Sequence, residues 1–492
     1  MSSIATVVII AIFLVMILYS FAHFPWPVTL LVGAVPFFLL LASSIDFFLL
    51  MPIALSSSFL FIPGMPGNFF LYHVFIAAYI FLRVVRTAFT KRLVRQPPGL
   101  DSWLVLFLVG WVVMLMVVRG AGMRILGGGK YGGATYLQIV LVLIFYWFSR
   151  DASVVSERRI RVAGVLLGIL GVLPMTANAV FILTAAKIWQ PMLFFKMAAA
   201  ATEAIVSEIR GEEMRWVFLA PASQLIWAGI FGFSSGRFSV ALRWLCFGTA
   251  AVAGLLSGYR SVVIGVIGFI TLYYFLRARR KGTFLFAMIL MGGAAYLFCW
   301  TFGRYMPFAV QRVLTLLPGI DVSPEAYYRG LSTIIWRKMV WRLAVGDIPR
   351  YWLIGRGVSF SPEALPIDAR HHTVELYYLT GNFHQAILEL IVLYGVPALV
   401  ACLGFYAVRL LRMFRETSDP SLWHSASARD WGQALLAYAT VRFVLTVAGG
   451  ISHELLVTLP LYLAFYNIIR NTDARLGAHE NRSHTSKLEQ RR

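Results

Sequence analysis

Apolar residues along this chain come in long, nearly uninterrupted runs separated by short polar punctuation. Runs that reach or approach the length of a bilayer crossing lie at 3–22, 27–44, 47–62, 70–89, 103–118, 135–149, 161–184, 215–233, 239–256, 260–276, 283–302, 384–408, 431–449 and 452–469. A spanning helix needs about 20 mostly apolar residues, so the pattern predicts an all-α polytopic membrane protein with about 12–14 transmembrane helices. The range reflects several short runs and the second and third, which only Ser43-Ser44-Ile45-Asp46 divides. One long polar stretch, 303–383, breaks the pattern and ends where His384 opens a new apolar run. The chain thus divides into an N-terminal membrane bundle of about 11 spans at 1–302, a large loop with short helices at 303–383, C-terminal membrane helices at 384–470, and a polar tail at 471–492 that is expected to be disordered.

Composition supports this division. The 492 residues are 59% hydrophobic and 13% charged, with a mean hydropathy of +0.76, more apolar sequence than one soluble core can bury. A net charge of +21 raises the question of nucleic acid, but the basic residues form scattered clusters between apolar runs and no single stripe. Membrane orientation accounts for them, and no nucleic-acid partner is expected. Lys91-Arg92-Leu93-Val94-Arg95, Arg158-Arg159-Ile160-Arg161, Arg277-Ala278-Arg279-Arg280-Lys281 and the basic stretch 409–415 fall on one side when fourteen spans alternate, and both termini join them there. By the positive-inside rule that side is cytoplasmic, which leaves 303–383 on the extracytoplasmic side. The first run, 4–19, lacks a basic n-region and a cleavage site and is expected to be a retained helix. Cys246, Cys299 and Cys402 lie in apolar runs without metal-ligand spacing and are expected to pack. Gly127-Gly128-Gly129 has no phosphate-loop context.

Candidate chemistry concentrates in the loop. Nine basic residues, Arg304, Arg312, Arg329, Arg337, Lys338, Arg342, Arg350, Arg356 and Arg370, face only six acidic ones there. Arginine forks suit bidentate phosphate contacts, so the excess points either to a phosphate-bearing substrate or to anionic headgroups of membrane lipid. Over 327–345, Leu331, Ile335, Met339 and Leu343 recur every fourth residue, and Arg329, Thr333 and Arg337 recur half a turn away. This predicts an amphipathic helix, either roofing a cationic space or lying at the interface with snorkelling arginines. Arg260 opens an apolar run on the same side, where a charge faces a cavity or snorkels. Gly355-Arg356-Gly357 predicts a tight turn that presents Arg356.

His384 stands at the junction. Asn382 and Gln385 have the spacing of a capping box, which predicts a helix start at Asn382 and places His384 in the first turn. The helix dipole would then hold its imidazole neutral and able to accept a proton, unless it is simply an interfacial histidine. Glu389, five residues on and off that helical face, is expected to support His384 indirectly. His371, His372 and His453 are weaker candidates. Neither paired acidic residues nor a metal-ligand pattern occurs, so no metal or other cofactor is expected.

In order and spacing, these parts resemble the O-antigen ligase and O-antigen polymerase superfamily of bacterial envelope glycosyltransferases. The resemblance covers about 255–411. It rests on Ser257-Gly258-Tyr259-Arg260 opening a span, on Trp336-Arg337-Lys338-Met339-Val340-Trp341 in the loop helix, and on Leu353-Ile354-Gly355-Arg356-Gly357, which is similar to the family's "lxGxG" turn. It ends with His384 through Gly395-Val396-Pro397, similar to the family's re-entry into the membrane, although Gln385 stands where the family has Asn. What the resemblance implies is a multi-pass protein of the bacterial inner (cytoplasmic) membrane, both termini cytoplasmic, its active site facing the periplasm. It implies a metal-independent inverting glycosyltransferase that moves a glycan from a polyprenyl-pyrophosphate carrier to a hydroxyl acceptor, either another glycan or lipid A-core, in lipopolysaccharide or exopolysaccharide assembly. His384 is then the expected base; Arg260, Arg329, Arg337 and Arg356 bind pyrophosphate, and Glu389 and Trp341 support. A transporter or flippase of the same lipid-linked sugars is the rival expectation, and a structural export subunit a third.

Overall fold

The computed structural model describes residues 45–58, 60, 70–90, 99–120, 133–151, 155–183, 217–233, 237–359 and 373–489. The first and second runs, the basic cluster at 91–95, the triple glycine, Arg370, His371 and His372 lie outside the described residues. Apart from an isolated bridge between Leu60 and Phe70, regular structure among the described residues is helical. In chain order the helices are α1 (Ile45–Leu55), α2 (Leu71–Thr90), α3 (Leu100–Arg119), α4 (Gly133–Ser149), α5 (Glu157–Leu183), α6 (Leu225–Gly232), α7 (Arg237–Leu256), α8 (Arg260–Arg277) and α9 (Lys281–Phe302). Then come α10 (Phe308–Leu314), α11 (Pro324–Tyr351), α12 (Thr373–Thr380), α13 (Ala386–Glu389), α14 (Val396–Ser418), α15 (Ala426–Gly449) and α16 (Leu459–Glu489). Seven of these, α2, α3, α7, α8, α9, α14 and α15, are long and apolar enough to cross a membrane, the architecture of a multi-pass membrane protein.

The core forms where aromatic and small residues let helices meet. Trp227 on α6 packs against Tyr438 of α15 and Tyr462 of α16, with centroids 4.8 and 5.4 Å away. Phe231 stacks between Trp431 and Phe465, each 5.2 Å away. At Gly168 of α5 a Cβ would stand 2.5 Å from the backbone nitrogen of Ala228, so only glycine admits this crossing of α5 and α6. α9 differs from its neighbours, since none of its residues is buried.

Several expected boundaries move. Among the described residues of the run at 47–62 the helix is α1, 11 residues long, which ends where Ser56 and Ser58 turn their hydroxyls back onto the carbonyls of Ile53 and Leu55. The run at 384–408 is two elements: α13 with a π-turn at Leu390–Tyr394, then α14. Gly395, at φ +85°, separates them. Among its described residues, the loop at 303–383 contains one long helix, α11, of 28 residues, besides short ones. Residues 471–489, expected to be disordered, continue α16 as helix. Its Asp473 is buried and accepts the backbone N–H groups of His424 and Ser425 at 2.8 and 2.7 Å, which gives this polar segment a reason to stay ordered.

Candidate active site around His384

α11 begins with Ser323 as N-cap, its hydroxyl accepting the N–H of Ala326 at 3.3 Å, and Pro324 in the first turn. Its buried line is Ala326, Gly330, Val340 and Ala344, all small or β-branched, so the helix lies close to what is beneath it. Leu331, Ile335, Met339 and Leu343 are exposed, and Arg329, Thr333, Trp336 and Arg337 turn inward and are half-buried. The helix is amphipathic as the periodicity predicts, with its apolar stripe outward and Arg329 and Arg337 on the inner side.

α12 ends at Gly381, at φ +75°, where the N–H of Gly381 bonds the carbonyl of Tyr378 at 3.1 Å and that of Asn382 bonds Tyr377 at 2.9 Å. This pair of bonds is the Schellman arrangement, and it uses Asn382 to finish one helix. The expected helix start at Asn382 is therefore displaced to Gln385, whose side-chain oxygen accepts the N–H of Leu388 at 2.6 Å. His384 lies before the cap and not in the first turn. It holds φ +52°, a left-handed conformation that costs a residue with a Cβ and persists when its surroundings enforce it.

The enforcement is visible. Trp341 donates its indole N–H to the carbonyl of Phe383 at 2.8 Å, and Glu389 accepts the N–H of Phe383 at 3.0 Å. The second carboxylate oxygen of Glu389 accepts the N–H of Ser452, tying the segment to the start of the π-turn before α16. Both residues expected in supporting roles thus grip the residue before His384. Burial pushes the Glu389 carboxyl up to about 7.

The His384 ring lies between Trp336 and Tyr377, with centroids 5.6 and 5.7 Å away. Burial first, and the Arg337 guanidinium second, lower its pKa to about 4. The imidazole is neutral at neutral pH, as the sequence suggests, but from desolvation and a neighbouring cation in place of a helix dipole. Arg337 reaches the end of α15: a Cβ on Gly449 would stand 3.7 Å from its Nη1. Its Nε is buried without a hydrogen-bond partner, as is Oδ1 of Asn382. A native buried polar atom is nearly always paired, so the Arg337 donor and the Asn382 acceptor are two polar groups near His384 that the chain itself leaves unsatisfied.

The other expected arginines separate. Arg260 donates from Nε to the carbonyl of Arg312 at 3.1 Å and from Nη2 to Thr315 at 2.6 Å, lying against Gly330 of α11. Arg329 pairs with Glu325 at 2.9 Å and covers Phe308. Arg260, from the start of α8, thus meets α11 next to Arg329, and Arg337 is two turns on, roughly 12 Å along the axis. Arg356 has a different position from the one expected of a pyrophosphate ligand. Its guanidinium donates to the carbonyls of Tyr378 and Leu379 and covers the Tyr378 ring at 4.7 Å, closing the end of α12. Its backbone N–H and that of Gly357 bond the carbonyls of Val392 and Leu393 at 2.8 and 2.9 Å. The turn at 353–357 therefore braces the π-turn after His384, and Gly355 admits this contact because a Cβ would come 2.2 Å from the Leu393 oxygen. His453 turns away to Gln138, 3.2 Å from its Nε2. Trp336 and Tyr377 are the site residues that sequence reasoning did not single out; Trp336 was legible only as the neighbour of Arg337, and Asn382 only as a helix cap.

No model of a known protein family matches the chain, and comparison with curated protein sequences gives no match.

Proposed function

We propose that this chain is an inner-membrane glycosyltransferase of the O-antigen ligase or polymerase type. It moves a glycan from a polyprenyl-pyrophosphate carrier to a hydroxyl acceptor on the periplasmic side. The observation that carries this reading is a neutral His384 beside Arg337, whose Nε is buried and open. A neutral imidazole accepts a proton, and an uncommitted guanidinium donor meets a leaving phosphate.

The acceptor hydroxyl gives its proton to His384 as its oxygen attacks the anomeric carbon. The bond from that carbon to the pyrophosphate oxygen breaks, its electron pair leaving with the polyprenyl pyrophosphate. Arg337 offsets the charge that grows there, and a single displacement inverts the anomeric centre. Arg260 and Arg329 guide the anionic donor along α11. The exposed apolar faces of α9 and α11 give the polyprenyl chain a surface that needs no water.

The test is transfer by the purified full chain with a polyprenyl-pyrophosphate oligosaccharide, with and without a lipid acceptor. Lengthening of the donor alone identifies a polymerase, and a product formed only with the lipid acceptor identifies a ligase. His384→Ala should lower transfer at least about 100-fold while donor binding persists. Transfer that survives this substitution refutes the mechanism, and donor translocation without product assigns the chain to transport.

A further inference from the structure

A second cationic site lies at the other end of the bundle. α3 shows the separation: the Nε of Arg119, at its C-terminal end, donates to Gly355 at 2.8 Å beside the turn at 353–357. At its other end, Gly99 lies beside Arg150 and Arg412. Twenty residues of helix put about 30 Å between those ends. There Arg150, Arg409, Arg412 and Arg470 line one pocket of about 30 Å³ with Glu416 and Asn467.

These arginines come from three elements: Arg150 follows α4, Arg409 and Arg412 lie on α14, and Arg470 lies on α16. Arg409 sits inside the α14 span and is only 3% exposed. It donates to Asn467 and lies 5.1 Å over the Tyr466 ring, yet its Nε is buried with no partner. Arg470, over the Trp423 ring, leaves both Nε and Nη1 buried and unpartnered. Glu416 is the one acidic residue of the lining and is already engaged, by Arg412 at 2.9 Å and by the hydroxyl of Tyr466 at 2.8 Å. Asp101, beside Gly99, accepts from Tyr146 at 3.1 Å. Charges within a membrane span are costly and face a partner or a wet cavity, and open guanidinium donors match the oxygens of a phosphate.

We propose that this pocket binds a phosphate group, on a lipid headgroup or on a small soluble molecule, on the face opposite His384. Its volume takes about two water-sized groups, enough for two oxygens of one phosphate while the rest of the ligand stays outside. The site is independent of the proposed transfer reaction.

Thermal unfolding of the full chain in mild detergent tests it, with inorganic phosphate titrated at constant ionic strength. A second arm compares nanodiscs of phosphatidylglycerol with nanodiscs of phosphatidylcholine. The expected result is a saturable rise of the midpoint in the wild type, with at least tenfold more phosphate or anionic lipid needed in Arg412→Gln and Arg470→Gln. Arg412 is half-exposed, so its removal does not threaten the fold. Glu416→Gln, which takes a negative charge from the lining, should bind tighter. A rise with phosphate alone assigns a soluble ligand, and one with phosphatidylglycerol alone assigns a headgroup. No saturable rise in either arm, or equal rises in wild type and all three variants, overturns the proposal.

Discussion

Replacing Arg337 by Gln separates two effects of one side chain that the site places in opposition. The Arg337 charge makes His384 a weaker base, yet in the proposed reaction the same charge stabilises a leaving phosphate. The pKa of His384 falls from 6.5 to about 4, with burial the larger cause. Arg337 then accounts for less than half of the fall, so Arg337→Gln should raise the imidazole pKa but leave it below its ordinary value, because burial persists. The sign is fixed: without the cation the imidazolium is less disfavoured, and the group protonates at higher pH. Transfer should move the other way, falling about 100-fold or more through loss of the charge that meets the leaving group. The acid limb of kcat/KM against pH reports the free-enzyme pKa, and ring-nitrogen shifts of labelled histidine, assigned with His384→Gln, report it directly. A His384 pKa that stays at about 4 or drops in Arg337→Gln refutes the electrostatic coupling. An undiminished transfer rate refutes the role in stabilising the leaving group.

Glu389→Gln should flatten a pH dependence of stability. The folded chain holds this proton more tightly than the unfolded one, about 7 against 4.5, so stability is highest below 4.5 and is lost as pH rises to 7, by about 3 kcal/mol, readable from unfolding midpoints at pH 5 and 8. Trp341→Phe keeps the ring and deletes the donor to Phe383; it should cost about 1 kcal/mol of stability but lower kcat more than KM, since it loosens the support of the strained His384. Gly395→Ala meets both φ +85° and the Leu353 oxygen 2.4 Å from the new Cβ, and should abolish stable expression, as detergent gel filtration would register.

What was legible in the sequence follows from how local each signal is. The apolar runs at 70–89, 103–118, 239–256, 260–276 and 283–302 correspond closely to α2, α3, α7, α8 and α9, because hydropathy over one span needs no knowledge of neighbours. Hydropathy could not see that Gly395 splits a run that stays apolar on both sides; Gly395-Val396-Pro397, a helix breaker followed by a helix-starting proline, carried that information. Two capping signals competed at 381–385, and the Asn382–Gln385 spacing was outweighed by Gly381, whose freedom at positive φ closes α12 first. For Arg356 no local signal exists. A guanidinium binds a carbonyl oxygen and a phosphate oxygen with the same donors, and only the fold brings the end of α12 to it. Tyr377 is likewise 41 positions from Trp336, and their meeting around His384 is a tertiary fact.

The lowered pKa of His384 bears on the order of events. A base that protonates only near pH 4 is poorly matched to removing a hydroxyl proton at neutral pH, since base strength rises with pKa. A pyrophosphate seated on Arg337 changes both sides of that balance: it neutralises the cation that disfavours the imidazolium and brings negative charge of its own. Under the proposed reaction the site would become basic on donor binding, and the acceptor proton would be taken only with a leaving group in place. Donor binding should raise the His384 pKa, and a nonhydrolysable polyprenyl diphosphate, added during the histidine titration, would show it. In Arg337→Gln the same ligand should produce a smaller rise. If the rise is absent in the wild type, the histidine and the arginine do not share one substrate, and the geometry that joins them has another purpose.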